Sequence, residues 1–214
     1  MKSKRGLDLD NKKRGLLIVI SGPAGSGKGT LIERLMKSSD RFAYSISATS
    51  RPRLANEEDG VNYWYLTREE FEGRISRGEM LEYTEYCGNY YGTPLEEAVA
   101  TIESGKHLIL EIEVDGAMQI KERFPDALLI MILPPSYKKQ EERLRTRGRD
   151  TEEQILRRLE VTKREIAYLD NYDYVVINHD GEMDRAASDI FAIIHAETLS
   201  VKRNLNIRDS FFDN

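Results

Sequence analysis

The sequence has a single cysteine, Cys87, among 214 residues, so no disulfide can form within the chain. This use of cysteine is typical of a reducing compartment and predicts a cytoplasmic protein. No apolar run approaches the ~20 residues that a membrane-spanning helix needs, so no membrane partner is predicted. The basic residues 1–14 lack an apolar core, which excludes a secretory signal. They are predicted to form a mobile arm, either a solvated tail or a contact for an acidic surface.

An excess of positive charge is also missing. The chain has 32 lysines and arginines against 37 aspartates and glutamates, which gives a net charge of -5. This balance argues against bulk electrostatic binding of nucleic acid, so any anion site must be local. Hydrophobic residues make up 40% of the chain and charged residues 32%, as expected for one globular domain with a substantial core.

A phosphate-binding loop is predicted from residues 16–30, LLIVISGPAGSGKGT. Its apolar run is typical of a buried parallel strand, and the glycines that follow let backbone N–H groups approach an anion. The next helix adds its positive end, and Lys28 places an ammonium on the outer phosphates. A glycine-rich turn without a ligand is the alternative. The predicted phosphate-binding residues are Gly22, Pro23, Ala24, Gly25, Ser26, Gly27, Lys28, Gly29 and Thr30.

The rest of the chain alternates apolar strands with amphipathic helices, which predicts an α/β fold with a parallel sheet covered on both faces. Residues 60–92 interrupt this rhythm and predict a small mixed or antiparallel insert, with a strand over 61–66 and a turn over 87–92. A strand over 107–114 would place Glu111 and Glu113 on one face. Capping boxes that begin helices are predicted at Thr67, Thr93 and Thr151.

Four stretches together resemble the guanylate kinase family: GPAGSGKGT, the SxSxTSR run that ends at Arg51, GNYYGT over 88–93, and RLRTRGRDTEEQILRRL over 143–159. The resemblance covers roughly residues 16–196. It implies phosphorylation of GMP by ATP with magnesium, in a P-loop core with a GMP-binding insert and a mobile helical lid. The implied boundaries are a single domain over 15–200, with core segments 15–46, 94–135 and 169–200, insert 47–93, lid 136–168, and a polar tail over 201–214.

The resemblance also implies roles for individual residues. Glu82 and Thr93 would read guanine, because an ionised carboxylate accepts both the N1–H and the 2-amino hydrogens that guanine offers. Thr30 and Glu113 are the candidate magnesium ligands, directly or through water, although the family often has aspartate at the second position. Asn178 would lie near the adenine. The implied GMP-binding residues are Ser47, Arg51, Arg53, Tyr63, Glu82, Tyr91, Gly92, Thr93, Glu111 and Glu113.

Arginines of the predicted lid complete the implied catalytic set of Lys28, Arg51, Arg143, Arg147 and Arg158. Arg143 and Arg147 are four residues apart, which places them on one helix face. A solvated helix with internal salt bridges is the alternative meaning of such a charged run. The GMP-binding loop departs from the family, because Arg51 and Arg53 are two residues apart where the family usually has three.

The predicted function is therefore transfer of phosphate from ATP to GMP, and also to dGMP. A non-catalytic module of this fold that binds a phosphopeptide is an alternative, although such modules typically lose the loop lysine or the lid arginines. A kinase for another small phosphate ester is a second alternative, which would require loss of the guanine-reading pair.

Overall fold

The computed structural model describes residues 14–205 and 207–210. The predicted arm lies outside this range except for Arg14, which pairs with Glu103 at 3.1 Å. The strands are Leu17–Ser21 (β1), Phe42–Tyr44 (β2), Ala48–Thr49 (β3), Trp64–Tyr65 (β4), Met80–Tyr86 (β5), Asn89–Pro94 (β6), His107–Glu111 (β7), Leu128–Leu133 (β8) and Tyr174–Ile177 (β9). The α-helices are Lys28–Ser38 (α1), Arg68–Ser76 (α2), Leu95–Glu103 (α3), Val114–Arg123 (α4), Tyr137–Arg147 (α5), Glu152–Ile166 (α6), Met183–Thr198 (α7) and Ile207–Ser210 (α8).

A five-stranded parallel sheet forms the centre of the fold, in the order β2-β7-β1-β8-β9. Side chains of β1 alternate between its faces: Ile18 and Ile20 pack with α1 and α7, and Val19 packs with α3 and α4. All three are fully buried, and each contributes about 1.5–3 kcal/mol of stability. The predicted α/β fold with a helix-covered parallel sheet is confirmed.

The second sheet has four strands in the order β4-β3-β6-β5 and packs around Phe71 and Met80. It is mixed, as the prediction of a mixed or antiparallel insert allows, because β3 and β4 run parallel and the other pairs run antiparallel. The predicted turn over 87–92 is wrong. A two-residue turn at Cys87 and Gly88, both with positive φ, is followed at once by β6. Such a turn matches the twist of the strands that it joins, so the aromatic residues after it can pair in the sheet.

Local helix signals were correct where the strand pattern did not compete with them. Thr67 and Thr151 form the predicted capping boxes of α2 and α6. The box predicted at Thr93 is wrong, because β6 continues to Pro94 and the Thr93 hydroxyl donates to Glu82. The strand predicted over 61–66 is reduced to Trp64 and Tyr65, since the preceding residues form a turn.

The end of β7 also differs from the prediction. This strand ends at Glu111, and Glu113 is the residue that precedes the first turn of α4. The two carboxylates therefore do not share a strand face. Among the residues that the structure describes, no helix is long and apolar enough to cross a membrane.

Candidate active site

The loop between β1 and α1 has the backbone that its glycines predict. Gly22, Gly25 and Gly27 all have positive φ, and a side chain on Gly22 would collide with the carbonyl oxygen of Ile132 at 2.0 Å. Gly27 precedes α1, so the first N–H groups of that helix face the loop. The Lys28 ammonium donates to the carbonyl of Gly22. This geometry forms a cradle for an anion, and the Lys28 ammonium is held by a carbonyl of the same loop.

A cavity of about 520 Å³ opens above this loop. It is lined by residues 23–30, by three arginines of α5 and α6 and by Glu111. The predicted lysine and the predicted lid arginines, which are more than 100 residues apart in the sequence, thus share one cavity. Those arginines are Arg143, Arg147 and Arg158.

Burial and nearby carboxylates shift the pKa of the Lys28 ammonium in opposite directions. Partial burial lowers the pKa of its ammonium, and the carboxylates of Glu111, Glu165 and Glu113 act against that change. Glu165 lies on α6 and was not identified from the sequence. Burial raises its own pKa, while Lys28 lowers it. The nearby carboxylates therefore offset part of the cost of desolvating the Lys28 ammonium.

Each arginine of the predicted catalytic set pairs with a carboxylate of the protein. Arg143 contacts Asp180 at 2.6 Å, and Arg147 and Arg158 contact the two oxygens of Asp150 at 3.4 and 3.3 Å. A bidentate pair at 2.8 and 3.0 Å joins Arg51 to a further carboxylate. The sequence did not identify these three partners, since a carboxylate among many carries no local signal. They are Glu57, Asp150 and Asp180.

A second group of predicted residues surrounds Arg51 in the small sheet. Its guanidinium lies 5.6 Å from the ring centre of Tyr63, whose ring is 6.0 Å from that of Tyr91. Hydrogen bonds from Arg51 lower the pKa of Glu57 to about 2, so this carboxylate stays ionised. Arg53 is exposed and donates to the backbone carbonyl of Glu57 at 2.9 Å.

Glu82 and Thr93 lie opposite each other on β5 and β6. The Thr93 hydroxyl donates to Oε1 of Glu82 at 2.8 Å, and Glu82 is only 3% exposed. Burial raises the pKa of this carboxyl to about 6. Close approach requires glycine on both sides: a side chain on Gly92 would meet the Glu82 carbonyl at 2.4 Å, and one on Gly116 would meet Oε2 at 2.8 Å.

Four predicted residues remain, namely Ser47, Asn178, Thr30 and Glu113. Ser47 is half-buried, and its carbonyl accepts from the backbone of Trp64 at 2.9 Å. Asn178 is buried and its amide donates to the carbonyl of Ser26 at 2.7 Å, so it supports the loop; a contact with adenine stays a prediction. Thr30 is exposed at the cavity, and Glu113 is exposed beyond its lining.

Comparison with known proteins shows to which family the chain belongs. The family model described as guanylate kinase matches residues 14–197, which is most of the chain. The chain belongs to the guanylate kinase family.

Individual guanylate kinases match this chain over most of their own length. The guanylate kinase of Halalkalibacterium halodurans is 50% identical over 186 residues, which cover 87% of this chain and 90% of that one. The guanylate kinase of Streptococcus agalactiae serotype III is 48% identical over 192 residues, or 89% and 91% of the two chains. The crystal structure of the guanylate kinase from Anaplasma phagocytophilum is 30% identical, with a TM-score of 0.70 and 90% coverage of each chain.

Proposed function

We propose that the chain transfers the terminal phosphoryl group of ATP to GMP, and also to dGMP, to give ADP and the nucleoside diphosphate. The observation that supports this most directly is the shared cavity of the loop lysine and the lid arginines. In the reaction the bond between the β–γ bridging oxygen and the γ-phosphorus breaks. A new bond forms between that phosphorus and a phosphate oxygen of GMP.

The ATP phosphates would lie on the loop from Gly22 to Thr30. Its N–H groups and the start of α1 provide partial positive charge, and Lys28 provides a full one. Lys28 donates to the loop carbonyl of Gly22, so the ammonium already points toward the cradle. Phosphate oxygens are stronger acceptors than this carbonyl and would take over its hydrogens.

GMP would be held by the small sheet, which corresponds to the insert over 47–93. Arg51, Tyr63 and Tyr91 are already together and suit a phosphate, with Ser47 and Arg53 nearby in the chain. Ionised Glu82 would accept two hydrogens from guanine. Adenine presents an unprotonated N1 there, which would face a carboxylate lone pair, and this mismatch supports selectivity for guanine.

The lid over 136–168 would supply charge where the transition state needs it. Arg143 pairs with Asp180, and Arg147 and Arg158 pair with Asp150; phosphate oxygens in the cavity would replace these partners. Phosphoryl transfer needs positioning and cationic stabilisation more than covalent help, and arginines in such sites accelerate the reaction by about 10³-fold or more. Closure of the lid would also exclude water that could hydrolyse ATP.

Magnesium fits the donors that are present. No cluster of three or more potential metal-ligating side chains occurs among residues 14–205 and 207–210. Mg²⁺ usually binds through substrate phosphates, water and one or two protein oxygens, so a full protein cage is not needed. Thr30 and Glu111 at the cavity provide hard oxygen donors, and Glu113 lies close enough to influence Lys28. When bound with ATP, the ion would neutralise charge on the phosphates.

A coupled assay of ADP release from Mg-ATP tests this function, with GMP, dGMP, AMP, UMP, CMP and dTMP offered separately. We expect strong turnover with GMP, weaker turnover with dGMP and little with the others. Lys28→Met is the matched negative control, and circular dichroism confirms that both proteins are folded. A folded protein that binds GMP by calorimetry but releases no ADP would be a binding module instead.

The single cysteine and the dependence on ATP support a cytoplasmic location.

A further inference from the structure

A fully buried glutamine joins both lid helices to the phosphate-binding loop. Gln140 of α5 is 0% exposed. Its carboxamide nitrogen donates to the carbonyl of Ala24 at 2.9 Å and to the hydroxyl of Thr162 on α6 at 2.8 Å. Thr162 in turn donates to the backbone carbonyl of Arg158 at 3.0 Å. A continuous line of hydrogen bonds therefore runs from the loop, through α5, to the backbone of a lid arginine.

Packing alone does not require polar groups at this position. The surrounding cluster is apolar and consists of Leu144, Ile155 and Leu159, with Ala24 of the loop against it. A buried carboxamide costs free energy wherever it is not hydrogen-bonded, and Oε1 of Gln140 has no partner in the described part of the chain. Two apolar side chains would fill the space without this cost. Buried polar groups can instead specify one arrangement of the packed elements.

A second contact between α5 and the loop comes from a side chain that has another role in the proposed function. Arg143, three residues after Gln140, donates to the carbonyl of Gly25 at 3.2 Å. If Arg143 binds a phosphate, as in the proposed function, the Gly25 carbonyl must share its guanidinium with the substrate. Gln140 would then continue to hold α5 on the loop through Ala24.

We propose that Gln140 is a positioning residue for phosphoryl transfer. Its carboxamide sets α5 and α6 on the carbonyl of Ala24, so that Arg143 and Arg158 meet the phosphates in one arrangement. This inference rests on the proposed function and concerns alignment in the transition state. GMP binding belongs to the small sheet and is expected to be independent of it.

Two variants separate positioning from stability. Gln140→Leu removes both donors at nearly constant volume, and it leaves the carbonyl of Ala24 without its donor. Gln140→Leu/Thr162→Val also removes the other polar partner, and replacement of both partners by apolar groups of similar shape limits the loss of stability. We expect the double variant to regain much of the lost urea midpoint. We expect kcat to remain at least fivefold below the wild type in both variants, with KM and Kd for GMP within twofold.

Gln154→Leu is the matched control, because Gln154 belongs to the same lid and its side chain caps α6 through the backbone N–H of Thr151 at 2.8 Å. This contact does not involve the loop. The control is expected to lower the urea midpoint while kcat stays within twofold of the wild type. A general weakening of the lid would instead lower kcat in the control as well.

Hydrogen exchange gives a readout that does not depend on turnover. With ATP bound, the double variant is expected to exchange faster over residues 137–166 than the wild type, although its urea midpoint is largely restored. A double variant that recovers wild-type kcat and wild-type exchange would overturn the inference and leave Gln140 a structural residue. Failure of the wild type itself to phosphorylate GMP would refute the proposed function. The exchange result would still show whether Gln140 holds the lid helices on the loop.

Discussion

Glu82→Gln is expected to make the protein more stable and a poorer kinase at the same time. Glu82 is 3% exposed, and burial raises its pKa from 4.5 to about 6. At neutral pH the folded protein therefore carries a buried charge that the unfolded chain would solvate. Glutamine has no charge, and its amide oxygen can still accept the hydroxyl hydrogen of Thr93, 2.8 Å from Oε1 in the wild type.

The size of the stability effect follows from the two pKa values. A pKa raised from 4.5 to about 6 corresponds to about 2 kcal/mol. Below pH 4.5 the carboxyl is neutral in both the folded and the unfolded chain, so the variant and the wild type should be equally stable. As the pH rises from 4.5 through 6, the unfolded chain loses its proton first and the wild type loses stability. Above pH 6 the variant should be more stable by up to about 2 kcal/mol.

The effect on catalysis has the opposite sign. Hydrogen bonds to a charged group contribute about 1.5–3 kcal/mol, and glutamine would turn one N–H group toward a donor of guanine. We expect kcat/KM for GMP to fall about 10- to 100-fold, since 1.4 kcal/mol is a factor of ten. Use of AMP should fall less, because adenine offers no N1–H for the carboxylate to accept.

Urea unfolding between pH 4 and 8 measures the first effect, and coupled assays with GMP and AMP measure the second. Thr93→Val is a useful companion, since it removes the donor to Glu82 but keeps the carboxylate. A glutamine variant that is less stable than the wild type at pH 7.5 would contradict the charge argument. An unchanged GMP/AMP ratio of kcat/KM would show that Glu82 does not read the base.

Three further results are expected. Lys28→Met should lower kcat by about 100-fold or more, because a cation on the outer phosphates is lost, while calorimetry detects nearly normal GMP binding; full activity would exclude the loop assignment. Arg51→Ala should reduce kcat/KM for GMP more than Arg53→Ala does, since only Arg51 lies against Tyr63; the reverse order would place the phosphate at Arg53. His107 is buried, and burial lowers its pKa to about 4 while Nδ1 accepts from the backbone of Leu16. Folding favours the neutral imidazole. Its contribution to the free energy of unfolding, about 3 kcal/mol, is complete above pH 6.5 and is lost as the pH falls to 4. His107→Asn should remove that slope in urea titrations, and an unchanged slope would assign it to other groups.

The conformation of the glycine-rich loop between β1 and α1 could be predicted almost completely, because its determinants are neighbours in the chain. Strand, glycines, lysine and helix occur within 15 residues, and their conformations follow from the residue types themselves. The capping boxes at Thr67 and Thr151 are local in the same way. Predictions failed where a local signal competed with strand pairing. Thr93 has the pattern of a helix cap, but its hydroxyl donates to a residue 11 positions earlier in a paired strand.

The carboxylate partners of the site arginines could not be found from the sequence. Asp180 lies 37 residues from Arg143, and the chain contains 37 acidic residues that are equally plausible by composition. Gln140 was missed for a related reason, since a glutamine in a charged helix predicts a solvated side chain. Only the packing of α5 against α6 and the loop makes it fully buried.

The amino-acid sequence by itself determined the α/β fold, the anion cradle and the residue types that suit a purine nucleotide, because these depend on short-range periodicity and on motifs with a fixed spacing. The tertiary structure decided which charges meet. It brought Lys28 to the lid arginines, paired each arginine of the predicted catalytic set with a carboxylate, buried Glu82 beside Thr93 and placed Gln140 against the loop. Such pairings depend on distances between segments far apart in the chain, and no local pattern specifies those distances.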